Sequence, residues 1–164
     1  VIVAFTGHRP DKLGGWDPAH PIIARVRKAL RDGLIANWPL YAISGMAQGV
    51  DQWGAEVCVE LGIPFLAALP CDGWGENWPL PSQERYQALL KKAAEIHVVS
   101  PGPYKPWKMQ RRNEWMVDHC ELVLSIWDGS SGGTANCLDY AASMKRQVKQ
   151  LQWREQPLTA SSGC

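Results

Sequence analysis

The sequence predicts an α/β protein of the doubly wound kind: a mainly parallel sheet of about six strands with helices on both faces. Three observations predict it. Short apolar, β-branched runs alternate with longer runs whose apolar residues recur at helical spacing, the pattern of strand, crossover helix and parallel strand. The turns between them are short, as right-handed crossovers require. Every loop that follows a strand run is rich in Gly, Ser, Asp, His or Arg, whereas the loops at the opposite ends are plainer. In open α/β sheets a ligand sits beyond the carboxyl ends of the strands, so this asymmetry places one site on one edge of the sheet.

Residues 1–6 (VIVAFT) read as a buried first strand, stopped by Gly7-His8-Arg9-Pro10. A loop over 11–21 precedes an amphipathic helix over 22–36, where Ile22, Ile23, Val26, Leu30, Leu34 and Ile35 alternate with charged residues. A second strand over 40–44 ends at Gly45. A second helix over 50–61 ends at Gly62, a C′ residue by type. The third strand spans 63–69. A Trp- and Pro-rich loop leads from it to a helix over 82–94, and the fourth strand spans 96–100. After a further loop come a helix over 107–119, the fifth strand over 122–127, a helix over 134–146 and a sixth strand over 148–153. Residues 1–154 are expected to form a single domain, and 155–164 a disordered tail.

Bulk properties remove several classes. A net charge of +1 supplies no general basic field for duplex nucleic acid. No apolar run approaches membrane-spanning length, and VIVAFTG carries no basic leader, so a cytoplasmic protein without membrane contact is expected. The five cysteines are odd in number and show no C-x-x-C pairing, which argues against a disulfide framework or zinc knuckle, and the histidines lack ligand spacing. No metal is assigned. With G-x-G-x-x-G and G-K-[ST] both absent, no cofactor is assigned either. Trp16, Trp38 and Trp53, read as exposed, point to a homo-oligomer, a dimer above all.

The most informative stretch is 128–139, DGSSGGTANCLD. Its glycine pair falls where a strand hands over to a helix, and the free N–H groups of a helix start attract anions. Gly132, Gly133 and Thr134 are therefore candidate phosphate ligands, with Asp128 before them. Asn136, Asp139 and Ser143 share one helical face, Leu138 and Ala142 mark another suited to the sheet, and Asp139 is expected to lean toward the pocket.

Other loops add candidates that have plainer alternatives. Gly7, His8 and Arg9 offer amides and a guanidinium to a phosphate, or form a simple turn. Gly45 and Gly49 bring backbone close to a ligand, and Asp51 either contacts that ligand or caps its own helix. Trp74, with Trp78 and Tyr86, stacks a base, packs a lid or meets a partner. On the helix over 107–119, Asn113 lies within the apolar stripe and Arg112 borders it, so both need partners: a ligand, or an ion pair of Arg112 with Glu114 or Asp118.

Taken together, Thr6-Gly7-His8-Arg9-Pro10, the Ser44–Trp53 run SGMAQGVDQW, Met109-Gln110-Arg111-Arg112-Asn113 and Trp127-Asp128-Gly129 before Gly132-Gly133-Thr134 resemble the SLOG superfamily. That superfamily joins the DNA-processing protein A Rossmann domain, the lonely-guy phosphoribohydrolases and small YpsA-type bacterial or phage relatives. The resemblance implies a Rossmann-like nucleotide-binding fold. Against the P-G-G-x-G-T-x-x-E motif of the catalytic branch, Asp139 falls on the glutamate and Arg112 matches the companion arginine. Ser131, Ala135 and Asn136 replace the proline, third glycine and threonine.

The leading expectation is a nucleotide-binding protein that hydrolyses or transfers at the N-glycosidic bond of a nucleoside phosphate. Asp139 would stabilise the oxocarbenium charge, and Arg112 and Arg9 would hold the phosphate. A non-catalytic sensor of ADP-ribose-like or cyclic nucleotides competes with it. Single-stranded DNA binding is less favoured, because Lys105, Lys108, Arg111 and Arg112 offer only a small basic groove.

Overall fold

A computed structural model describes residues 1–155. Beyond Glu155, the expected tail lies outside the described residues. The elements run β1 (Ile2–Gly7), α1 (Pro21–Asn37), β2 (Tyr41–Ser44), α2 (Val50–Leu61), β3 (Phe65–Leu69), α3 (Leu80–Leu90), β4 (Glu95–Val98), α4 (Trp107–Asp118), β5 (Leu122–Ile126), α5 (Gly133–Ser143) and β6 (Gln147–Gln150). The six-stranded sheet has the order β4-β3-β2-β1-β5-β6, and every strand pair is parallel. The fold is the doubly wound α/β one that the alternation of periods predicts, and is Rossmann-like as the resemblance implies.

Strand alternation builds the two layers. Val3 and Phe5 of β1, with Leu122, Leu124 and Ile126 of β5, pack toward α1, α2 and α3. Ala4 and Val123 face the other way, with Ile43 and Ala68, onto Met116 and Val117 of α4 and Cys137, Leu138 and Ala141 of α5. Small residues on this second face let α4 approach the sheet closely. Ala142, expected on the sheet-facing side of α5, is exposed.

Differences from the expected boundaries have local causes. The loop after β1 contains a 3-10 turn, Pro10–Lys12, favoured by proline at its first position. β6 stops at Gln150, short of 153; Trp153 instead turns into the α1 layer, where its carbonyl accepts from Arg25 Nε at 3.3 Å. Trp53 is 7% exposed and belongs to the core of the α1–α3 layer, so it offers no oligomer surface, whereas Trp16 and Trp38 are 52% and 58% exposed.

The topology positions the site. From β1 the chain steps outward through β2, β3 and β4, then α4 carries it back over the sheet to β5 on the other flank of β1. The segments leaving β1 and β5 therefore diverge, and a crevice opens above the strand ends between them.

Gly49 makes the close approach at this edge. Its φ of 99° lies in the region that favours glycine, and a Cβ there would sit 2.5 Å from the His8 carbonyl oxygen. Gly49→Ala should accordingly cost about 3 kcal/mol, from backbone strain plus forced separation of the β1 and β2 loops. Urea denaturation giving a loss below roughly 1 kcal/mol would contradict this account.

Candidate functional site

The loop from β2 to α2 is held by its own side chains. Ser44 Oγ donates to the Asp51 carbonyl at 2.7 Å and accepts from the Met46 amide at 3.1 Å, while Gln52 Nε2 donates to the Met46 carbonyl at 3.1 Å. Met46 is fully buried with φ of 58°, an uncommon conformation outside glycine that these bonds and its burial impose. The result aims the Ala47 amide at Asp51 Oδ2, 3.3 Å away, and turns the Gly45 carbonyl toward α4.

Arg112 reaches that carbonyl from α4. It is 2% exposed; Nη1 donates to the Gly45 carbonyl and, at 3.4 Å, to the Ala68 carbonyl, and Nε donates to Asn113 Oδ1 at 2.9 Å. The expected pairing with Glu114 or Asp118 does not form. Two carbonyls and an amide hold the cation instead, leaving its charge without a contacting carboxylate among the described residues. Gly45 makes this possible, since a Cβ there would lie 2.6 Å from Nη1 and 2.8 Å from Asp51 Oδ2.

Asp51 and Arg112 thus flank one point, both buried. Burial pushes the Asp51 carboxyl from 3.8 up to about 6 despite the pull of Arg112, the Ala47 amide and Arg9. Burial likewise lowers Arg112, with Asp51 opposing.

These groups form one wall of a cleft of about 320 Å³ at the β1/β5 switch point. Thr6, Gly7, His8 and Arg9 form its floor and Asp11 and Lys12 its rim. Ala47 and Asp51 come from the β2 side, Met109, Arg112 and Asn113 from α4, and Ser131, Gly132, Gly133 and Thr134 from the start of α5. Among the described residues no side chain caps α5, whose N-cap Gly132 has φ of 137°. The first amide to find an intrahelical partner is Asn136, bonded to the Gly132 carbonyl at 3.0 Å. By contrast, the start of α2 is already occupied, its Val50 and Gln52 amides donating to the His8 and Ala47 carbonyls. The α5 start is therefore the anion-seeking end, and Arg9, Lys12 and Arg112 add positive charge around it.

Asp128 serves the turn rather than the cleft. Its Oδ1 accepts from the Ser130 amide at 2.8 Å and from Ser130 Oγ, while His8 Nε2 lies 2.8 Å from the same oxygen. The Ser130 bonds, above all, hold its carboxyl well below the usual range. His8 is 6% exposed and burial lowers its pKa, with Asp128 opposing; in the neutral ring Nε2 accepts the Asp128 amide at 3.0 Å, and on protonation it would donate to the carboxylate. The pair braces the β1 and β5 loops against each other.

Nine of the sequence candidates line the cleft: Gly7, His8, Arg9, Asp51, Arg112, Asn113, Gly132, Gly133 and Thr134. Gly45 and Gly49 lie behind it as close-approach positions. Asp139 and Asn136 are exposed and do not line it. Thr134 faces the cleft, and five residues later the helix has turned roughly 140° from that direction, so Asp139 is directed outward and the buried positions one turn on fall to Cys137 and Leu138. Trp74 lies in a separate pocket of about 170 Å³ with Trp78 and Tyr104, after β3 and β4.

Sequence reasoning misses Lys12, although its place in a Pro-initiated turn after β1 is a signal that it stays near the strand end. Lys108, read only as a groove cation, is 5% exposed, with Nζ donating to the Pro101 and Pro103 carbonyls. No helix among the described residues is long and apolar enough to cross a membrane.

Comparison with known proteins agrees with this architecture. The chain is 35% identical over 132 residues to the SPbeta prophage-derived protein YoqJ of Bacillus subtilis, covering 70% of this chain and 75% of that protein. It is 28% identical over 142 residues to a UPF0398 protein of Lysinibacillus sphaericus, covering 79% and 78%. Among solved structures, DNA processing protein A of Streptococcus pneumoniae superposes with a TM-score of 0.63 at 19% identity over 89% of this chain. The chain spans about half of that structure, 48%. The Helicobacter pylori protein of the same name gives 0.64 at 15% identity, over 90% of this chain and 63% of that one. The profile of the YspA SLOG family matches residues 3–159, nearly the whole sequence, and the chain belongs to that family.

Proposed function

We propose that the cleft binds a nucleoside phosphate, its phosphate on the amides of Gly133 and Thr134 and its sugar toward Asp51 and Arg112. The observation that carries this reading is the uncapped start of α5, opening into a cleft that also holds Arg9, Lys12 and the buried Arg112. About 320 Å³ lies at the small end of ligand sites, roughly 300–1,000 Å³, and suits a mononucleotide better than a dinucleotide.

The reaction such a site supports is hydrolysis or transfer at the N-glycosidic bond. As that bond breaks, positive charge develops on the sugar ring, and a carboxylate beside the ring stabilises it. Asp51, buried in the cleft wall, takes the place first expected of Asp139. Binding without turnover leaves a sensor using the same contacts. DNA processing protein A of Helicobacter pylori has a single-stranded DNA binding mode. For this chain, the exposed Tyr104 and Trp107 are where successive bases would stack. Trp16 and Trp38 are the surfaces on which a homodimer would close.

Calorimetry with nucleoside 5′-monophosphates, cyclic mononucleotides and ADP-ribose, together with chromatography for released base, tests the reading. At least one mononucleotide is expected to bind, and Thr134→Val, which keeps the shape and removes the hydroxyl, should weaken it roughly tenfold with little change in stability. Binding of none of these ligands would refute the phosphate placement, whereas an unchanged affinity in Thr134→Val would remove the hydroxyl from it and leave the backbone amide as the only contact of Thr134. Binding without base release would leave the sensor.

A further inference from the structure

Asp51 is the buried carboxylate of the cleft wall, and its hydrogen bonding is incomplete. It is 8% exposed, Oδ2 accepts only the Ala47 amide at 3.3 Å, and Oδ1 accepts no hydrogen bond among the described residues. A carboxylate offers about four acceptor positions, and those of Asp51 left unfilled by the fold are open to a donor that enters the cleft. Arg112 does not fill them, for its described bonds go to Gly45, Ala68 and Asn113. A metal is a poor candidate, since no group of three His, Cys, Asp or Glu side chains gathers anywhere among the described residues.

The placement says which donor is missing. Asp51 at the start of α2 and the free amides at the start of α5 line the same cleft of about 320 Å³, reaching it from the two sides of β1. A cleft of that volume has room for a phosphate on the amides and a furanose ring beside it. Hydroxyl groups on the ring would then meet the carboxylate. Resting on the nucleotide reading above, we propose that Asp51 accepts the vicinal 2′- and 3′-hydroxyls of a ribose, so that the site selects ribonucleotides over deoxyribonucleotides.

The test pairs each of the four common ribonucleoside 5′-monophosphates with its 2′-deoxy counterpart and adds inorganic phosphate, all measured by calorimetry. Loss of a hydroxyl donor to a charged acceptor should weaken binding roughly tenfold to a hundredfold, and the ratio should be similar for every base that binds, because the sugar and not the base is being read. In Asp51→Asn the preference should collapse toward unity while inorganic phosphate binds as before. Ribo and deoxy forms binding within twofold of each other would overturn the inference while leaving nucleotide binding intact. A preference present for one base alone would also overturn it, since Asp51 would then be reading that base. If neither form nor phosphate binds, the nucleotide reading itself falls, and this inference with it. Should Asp51→Asn fail to fold, the ratio in the unaltered protein still decides.

Discussion

Arg112→Met should lower the stability of the fold by about 3–5 kcal/mol, from the donors lost to two buried carbonyls together with the lost attraction on a nearby buried carboxylate. The charge left behind is Asp51, 8% exposed and already pushed up to about 6 by burial with Arg112 in place. Removing the guanidinium also strands the Gly45 and Ala68 carbonyls that it satisfies inside the molecule. In a domain of this size each kcal/mol shifts Tm by roughly 2–4 °C, so a fall of about 10 °C is expected by calorimetric scan. Asp51 can escape part of the penalty by taking up a proton. The loss should therefore be smaller at pH 5 than at pH 8. Combining Arg112→Met with Asp51→Asn removes both charges and should recover much of the stability but none of the anion affinity. A single variant as stable as the parent at pH 8, or a double variant no better than Arg112→Met alone, would mean that the two charges are not energetically linked.

The parts of the fold and site legible in the sequence are those that depend on short stretches. The β-branched run before Gly7, the αL cap at Gly62 and the glycine pair opening α5 each state their geometry within a few residues, and each is found where the pattern puts it. What the sequence misleads on depends on the rotational phase of a helix or on contacts between distant segments. Asp139 shares a helical face with Asn136 and Ser143, which the sequence shows. Which way that face points is set by Thr134, and only the packing of Cys137, Leu138 and Ala141 under the sheet determines that. The partners of Arg112 are backbone carbonyls from β2 and β3, far from it in sequence and without any side-chain signal. Trp53 reads as a surface aromatic in a polar run, yet α2 is buried along most of its length between α1 and the sheet.

The same physics makes Asp51→Asn a stabilising change at neutral pH, at the expense of the site. A carboxyl whose folded pKa is near 6 against an ordinary 3.8 holds its proton more tightly in the folded than in the unfolded chain. Between these two values the folded state carries the extra proton, so stability falls as pH rises through that window. Below about pH 4 both states are protonated and no penalty exists; above pH 6 it is complete. A shift of this size corresponds to an upper figure of about 3 kcal/mol, and that figure already contains the attraction to Arg112. Asparagine imitates the protonated form at every pH. The variant should thus match the parent near pH 4, exceed it progressively to a little above pH 6, and hold that margin to pH 8, by up to about 3 kcal/mol in urea denaturation. Asp128, whose carboxyl is held low chiefly by Ser130, contributes the opposite trend, with stability lost as pH falls below the ordinary carboxylate range. It does so equally in both proteins and cancels from their difference. A difference that stays flat from pH 4 to pH 8, or a variant less stable than the parent at pH 8, would show that the Asp51 charge is compensated in the fold and has no need of a ligand. A difference that grows with pH would instead identify Asp51 as a charge retained at a cost in stability, the usual mark of a group kept for binding.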